Sequence, residues 1–342
     1  METRYTLDGD AQVEGVIAAH QDLIAQAVAV GVPPEVFRAL VLLGGYGRGE
    51  GGYRCVDGRP EPYNDYDYFV VVRGLGRRAA KALQSSLAPL AGDLGERVGI
   101  EVDLAVLREE QLAHAEYSLM NAEMQWGHRV IAGDPGILSH MPPMPLHRLP
   151  LAEFTRLMLN RGALLLMNQQ VLTERAGRTG GIDRDRFFKY LFKAVLACGD
   201  ALLAATANYS PSYPEKLIRL GQVQDEAFMV LYRQAYGHKF HPDYAQFAGA
   251  DLHAWQQRVV QLWLETLAHL EKVRSGSAVA SWEEYAEPGY AKGQSPGKPV
   301  LRNIAVSLRD YGPASCLRQL EWIWRYPRER LIASLPGLLL QP

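Results

Sequence analysis

The chain has 342 residues, which at roughly 100–200 residues per domain predicts two domains, each large enough to bury its own core. Its 36 Lys and Arg against 38 Asp and Glu leave a net charge of −2. That balance excludes the basic field behind sequence-independent binding to nucleic acid and makes long nucleic acid an unfavoured partner. Cys55, Cys198 and Cys316 are far apart, odd in number and without Cys-x-x-Cys spacing, which argues against a disulfide framework or structural zinc and for a reducing compartment. The N-terminus has no basic stretch followed by an apolar one. The apolar runs 39–44 and 162–167 fall well below the roughly 18–20 residues of a membrane helix. A cytoplasmic protein with no membrane partner is expected.

Apolar positions at helical spacing (Val13, Val16, Ile17, Ile24, Ala27, Val28) predict a leading helix over 11–32, stopped by Gly31 and the Pro33–Pro34 pair. Three short apolar runs then read as buried strands: 39–43, 68–72 and 100–107. Between the second and third, Arg77–Leu94 is rich in Ala, Leu and Lys and long enough to cross the sheet as a helix. His128–Ala132, before Gly133-Asp-Pro-Gly, reads as a short edge strand. From the proline cluster at 142–150 onward helical periodicity takes over, at 151–175, 184–207, 214–236, 252–273 and about 314–335. Residues 274–300 read as a breaker-rich loop. The expected class is α+β: a mixed-sheet domain with flanking helices at 1–145, then an all-α, substrate-binding domain at 146–342.

The segment Leu42-Leu-Gly-Gly-Tyr-Gly-Arg-Gly-Glu-Gly-Gly52 directly follows a predicted strand. Glycines let the backbone turn sharply against a ligand, and a helix starting there would face an anion with free N–H groups. The same residues also match the Gly-x-Gly-x-x-Gly dinucleotide fingerprint, from Gly47 to Gly52. The choice falls to Asn64-Asp-Tyr-Asp-Tyr-Phe-Val-Val-Val72. Asp65 and Asp67 stand two apart at the mouth of a strand, so their carboxylates share a face. Their repulsion is costly unless a cation neutralises it, and hard oxygen ligands select Mg²⁺ or Mn²⁺. A third acid, Asp103, lies on a strand expected to neighbour the first, with Glu101 on the opposite face. Such a set suits two-metal phosphoryl or nucleotidyl transfer. A dinucleotide-dependent oxidoreductase would instead need a helix and then a strand ending in one acid.

The order strand, Gly-Gly turn, Asp-x-Asp strand, helix, strand with Asp resembles the DNA polymerase β-type nucleotidyltransferase superfamily, over about residues 38–135. Gly44-Gly-Tyr-Gly-Arg-Gly-Glu50 resembles in particular the turn of the protein-modifying uridylyltransferases of bacterial nitrogen signalling. The resemblance implies that Gly44 and Gly45 bind the β- and γ-phosphates of a nucleoside triphosphate. It implies that Asp65 and Asp67 bind two Mg²⁺ or Mn²⁺ ions, and that Asp103 binds the catalytic ion and assists deprotonation. Family members with a helical second domain often place a lysine on the triphosphate, a role that falls here on Lys193, which shares a helix face with Lys189 and Asp200. Gly51–Tyr63 is an apparent insertion, shaping the site or looping outward.

Arg48 reads as a phosphate contact or a structural salt bridge. The loop Tyr209–Tyr213 offers hydroxyls. Arg233 and His238 have the spacing of small helical ribonuclease domains, whereas His114, His128, His140 and His147 form no metal-binding pair. The cluster Arg325–Arg330 reads as a turn held by ion pairs. The expectation is transfer of a nucleoside monophosphate to an acceptor, a small molecule or a protein, with release of pyrophosphate; the alternative is a catalytically inactive nucleotide-binding regulatory module of the same fold.

Overall fold

The computed structural model describes residues 4–175 and 182–282, together with Ala305 and Leu308. The helix expected over 314–335, Cys316, the Arg325–Arg330 cluster and most of the 274–300 loop lie outside the described residues. The protein is mixed α and β, with a small sheet and many helices. It forms two compact units, Met1–Arg148 with Lys239–Pro242, and Leu149–His238 with Asp243–Pro342. No helix among the described residues is long and apolar enough to cross a membrane.

In the first unit, α1 (Ala11–Gly31) starts at Asp10, whose carboxylate accepts from the N–H groups of Gln12 and Val13, the usual way an N-cap satisfies first-turn donors. Then come β1 (Phe37–Leu42), the one-turn α2 (Gly44–Arg48), β2 (Tyr53–Val56), β3 (Arg59–Pro62), β4 (Tyr66–Val72) and α3 (Arg77–Val98). The unit continues with β5 (Val102–Arg108), α4 (Glu109–Leu112), α5 (Leu119–Trp126) and β6 (Arg129–Gly133). The main sheet has the order β5-β4-β1-β6, with β4 and β5 parallel and the other pairs antiparallel. A parallel pair needs a crossover, and α3 supplies it. α3 outruns its predicted end by four residues and stops where Gly99 takes φ +75°, the left-handed C-cap that glycine adopts without strain.

The period of two along the strands decides which side is covered. Leu40, Leu42, Tyr66, Tyr68, Val70, Val102 and Leu104 pack in one cluster with Val13, Ile17 and Ile24 of α1 and Leu87 and Leu94 of α3. Asp67 and Asp103 alternate with these buried positions and so fall on the other face. At the outer edge of β5, Gln84 of α3 donates to the Leu104 carbonyl at 2.8 Å and accepts from the Val106 N–H at 2.6 Å, occupying backbone groups that an open edge would expose.

Residues 51–63, read from sequence as an insertion of open role, form a β2–β3 hairpin of its own. Asp57 and Gly58 connect it with φ of +50° and +77°, both positive as a two-residue type I′ turn requires.

The second unit contains α6 (Leu151–Arg175), α7 (Arg184–Ala205), α8 (Tyr213–Gly221), α9 (Glu226–Phe240), whose last two residues belong to the first unit, and α10 (Leu252–Ser275). α6, α7 and α10 pack on one another, with Trp263 fully buried and its indole N–H donating to the Met158 carbonyl at 3.0 Å. The sequence read 214–236 as one helix; the structure divides it. α8 ends at Gly221 with Gln222 as its cap, and the Asp225 carboxylate accepts from the Phe228 N–H at 2.9 Å to start α9, a second N-cap that begins a new helix. Arg233 and His238 do not form a shared site. Arg233 is exposed and paired with Glu226 at 2.7 Å, whereas His238 is buried with its ring nitrogens on the carbonyls of Gln234 and Asp243.

Candidate active site

β4 and β5 pair in parallel with Tyr66 opposite Val102 and Asp67 opposite Asp103. Residues directly opposite in register project from the same face, so the two carboxylates lie side by side, Asp67 half-buried and Asp103 exposed. The neighbouring strand expected for Asp103 is therefore the one observed. Asp65 sits one residue ahead of β4 and is exposed. Backbone bonds fix the frame on both sides: the Leu43 N–H donates to the Asp67 carbonyl at 2.8 Å, and the Tyr66 N–H to the Glu101 carbonyl at 2.9 Å.

The glycine turn meets these acids at one point. Gly44 has φ +63°, and a Cβ placed on it would lie 3.2 Å from Asp67 Oδ2. Gly44→Ala is accordingly expected to cost about 1–2 kcal/mol in left-handed strain, read as a lower urea midpoint; a midpoint equal to that of the parent would show that the turn relaxes freely. Gly47 answers to packing instead, since its Cβ would meet the Leu42 carbonyl oxygen at 2.4 Å. Gly49 caps α2. A five-residue helix followed by a hairpin is not the long helix of a dinucleotide-binding unit.

Arg48 has a side chain 9% exposed, and its guanidinium lies 3.4 Å from Glu123 of α5, so the ion pair of one of its two readings is present. Lys193 lies on α7 of the second unit, half-buried, as does Lys189. Asp200, expected on the same helix face as the two lysines, is buried, with Lys216 Nζ at 2.7 Å.

Two residues left without a role by sequence reasoning stand next to the acids. The Tyr46 hydroxyl donates to the Gly52 carbonyl at 2.6 Å and accepts from the N–H groups of Tyr63 at 3.0 Å and Asn64 at 3.2 Å. Asn64 Nδ2 is buried with no hydrogen-bond partner among the described residues. The only sequence signal was an aromatic ring set among glycines. Burial pushes the phenols of Tyr46, Tyr66 and Tyr68 above their ordinary range and lowers His20, which lies against Tyr66 at 3.2 Å. The covered face of the sheet is thus lined by buried aromatic groups, and Asp67 and Asp103 lie on the other.

Like charges directly opposite one another weaken a sheet. Asp103→Asn is expected to stabilise the metal-free protein by about 0.2–1 kcal/mol, seen as an upward shift of the urea midpoint; a fall would mean that the two carboxylates do not repel. Among the described residues no group of three or more His, Cys, Asp or Glu side chains is arranged to hold a metal ion by itself. No family model matches the sequence, and no curated protein does either.

Proposed function

We propose that the chain is a metal-dependent nucleotidyltransferase with a catalytic sheet unit of the DNA polymerase β type. It moves a nucleoside monophosphate from a nucleoside triphosphate to a small-molecule or protein acceptor and releases pyrophosphate. The observation that carries this reading is the in-register pair Asp67 and Asp103, with Gly44 set against the Asp67 carboxylate.

The residues fit the ions such chemistry needs. Carboxylate oxygens are hard donors suited to Mg²⁺ or Mn²⁺. Mg²⁺ is commonly held by one or two carboxylates plus substrate phosphates, without an all-protein cage, which agrees with a pair of acids that forms no closed cluster. Asp67 and Asp103 would hold the ions, with Asp65 beside them. Ions bound there supply Lewis acidity at the phosphoryl oxygens and lower the pKa of the acceptor hydroxyl. The first-turn amides of α2, which have no side-chain cap, are donors for phosphate oxygens at Gly44 and Gly45. Asp103, the exposed acid of the pair, accepts the proton of the incoming hydroxyl.

The test is a panel of the four nucleoside triphosphates with Mg²⁺ or Mn²⁺ and a cell extract as acceptor source, scored for pyrophosphate and for transferred label. Label transfer that depends on Asp67 supports the reading. Triphosphate binding without pyrophosphate release overturns it in favour of a catalytically inactive regulatory module that binds nucleotide.

A further inference from the structure

We infer that Tyr46 is the positioning residue of this site, its hydroxyl tying the glycine turn to the segment that delivers Asp65 to the mouth of β4. The inference rests on the nucleotidyltransferase reading for what the carboxylates do.

Tyr46 lies two residues after Gly44, and Asn64 immediately precedes Asp65. A phenolic hydroxyl has one proton to donate and two lone pairs to accept with. Tyr46 uses all three, giving its proton to Gly52 and receiving the N–H groups of Tyr63 and Asn64. Gly52 opens the hairpin and Tyr63 closes it. One atom thus gathers the phosphate turn, both ends of the hairpin and the approach to Asp65. All its partners are backbone groups, so what it fixes is the path of the chain.

The ring is itself held in place. It is 1% exposed and makes an edge contact with Tyr66 at 5.0 Å between centroids. Gly51 leaves it room, since a Cβ there would come within 2.1 Å of the ring. Gly51 is fixed in turn by the N-terminal segment: its N–H donates to the Tyr5 carbonyl at 2.9 Å, and its carbonyl accepts from the Leu7 N–H at 3.2 Å.

Tyr68 supplies the contrast. It is equally buried, but its hydroxyl donates at 2.5 Å to Gln21 of α1, away from the chain that carries Asp65. A tyrosine that only supports the core should behave like Tyr68; a positioning residue should not.

The experiment titrates Mn²⁺ with inorganic triphosphate into the full chain and follows bound Mn²⁺ by water-proton relaxation, in the parent, Tyr46→Phe, Tyr68→Phe and Asp67→Asn. The expected result is parent binding, loss in Asp67→Asn, at least fivefold weaker affinity in Tyr46→Phe, and parental affinity in Tyr68→Phe even where its melting temperature falls. Equal affinity in Tyr46→Phe and the parent overturns the inference and leaves the metal site standing. No binding by the parent overturns the nucleotidyltransferase reading first. Should Tyr46→Phe not fold, hydrogen exchange of the Asn64 amide in the parent decides: slow exchange agrees with the Tyr46 bond, and exchange at the unprotected rate overturns it.

Discussion

Under the proposed function, Asp67→Asn is expected to lower nucleotidyl transfer by about 10²–10³-fold or more, the scale for removing a preorganised electrostatic contact from a transition state, while the protein stays folded. Asparagine keeps the shape of the side chain but removes the charge that would hold a cation between β4 and β5. The backbone role of the position is untouched, because the bond from Leu43 runs to the main-chain carbonyl. One charge fewer opposite Asp103 also removes a repulsion. Loss of activity should therefore come without the loss of stability that a disruptive substitution brings. Pyrophosphate release measured beside far-UV circular dichroism checks both halves. Activity within tenfold of the parent would remove Asp67 from the chemistry, and Asp65→Asn, tested in parallel, shows whether the exposed acid ahead of the strand shares its role.

The features of the sheet unit that sequence revealed were those written in short periods. Alternation in Tyr66-Asp-Tyr-Phe-Val and Val102-Asp-Leu puts the acids on one face and the apolar residues on the other, and that pattern survives an error of two residues in a strand boundary. β4 begins at Tyr66, two residues before its predicted start, and Asp67 is thereby inside the sheet with a defined partner. The hairpin was legible but unread: Val56-Asp-Gly-Arg59 is a two-residue turn signal between short strands, although two prolines in β3 disguise that strand. The role of Tyr46 was not legible, because its three partners lie six, 17 and 18 residues away and no local pattern records them. The same holds for Arg48, whose partner Glu123 is 75 residues distant.

The helical unit was read well as helices and poorly as a core. Helical periodicity separates buried from exposed stripes but cannot say when a charge on the buried stripe has a partner on another helix. Asp200 and Lys216 are such a case, with side chains 9% and 1% exposed. Lys216 Nζ also lies 4.3 Å from the Tyr213 ring centroid and 5.0 Å from that of Tyr209, within the range of cation–π attraction. The Tyr209–Tyr213 loop, read from sequence as a source of hydroxyls for a nucleotide, thus presents two aromatic faces to a buried ammonium.

Lys216→Met is therefore expected to destabilise the protein by about 3–5 kcal/mol, the cost of leaving a buried charge without its partner. Methionine fills much of the space, so the loss reports charge more than volume. Two neighbours sharpen the expectation. Burial keeps the Tyr232 phenol well above its ordinary range and pushes the Cys198 thiol up to about 12, and in both the nearby Asp200 carboxylate adds to the shift. Tyr232 and Cys198 beside Asp200 thus stay neutral, and Lys216 supplies an opposite charge at 2.7 Å. If charge is the cause, adding Asp200→Asn to Lys216→Met should restore more than half of the loss, because pairs in contact are non-additive. Urea unfolding followed through tryptophan fluorescence reads this unit, since Trp263 is buried in α10. A loss below about 1 kcal/mol for Lys216→Met, the range of exposed ion pairs, or a double variant whose loss is the sum of the single ones, would show that the helices hold together through their apolar surfaces alone.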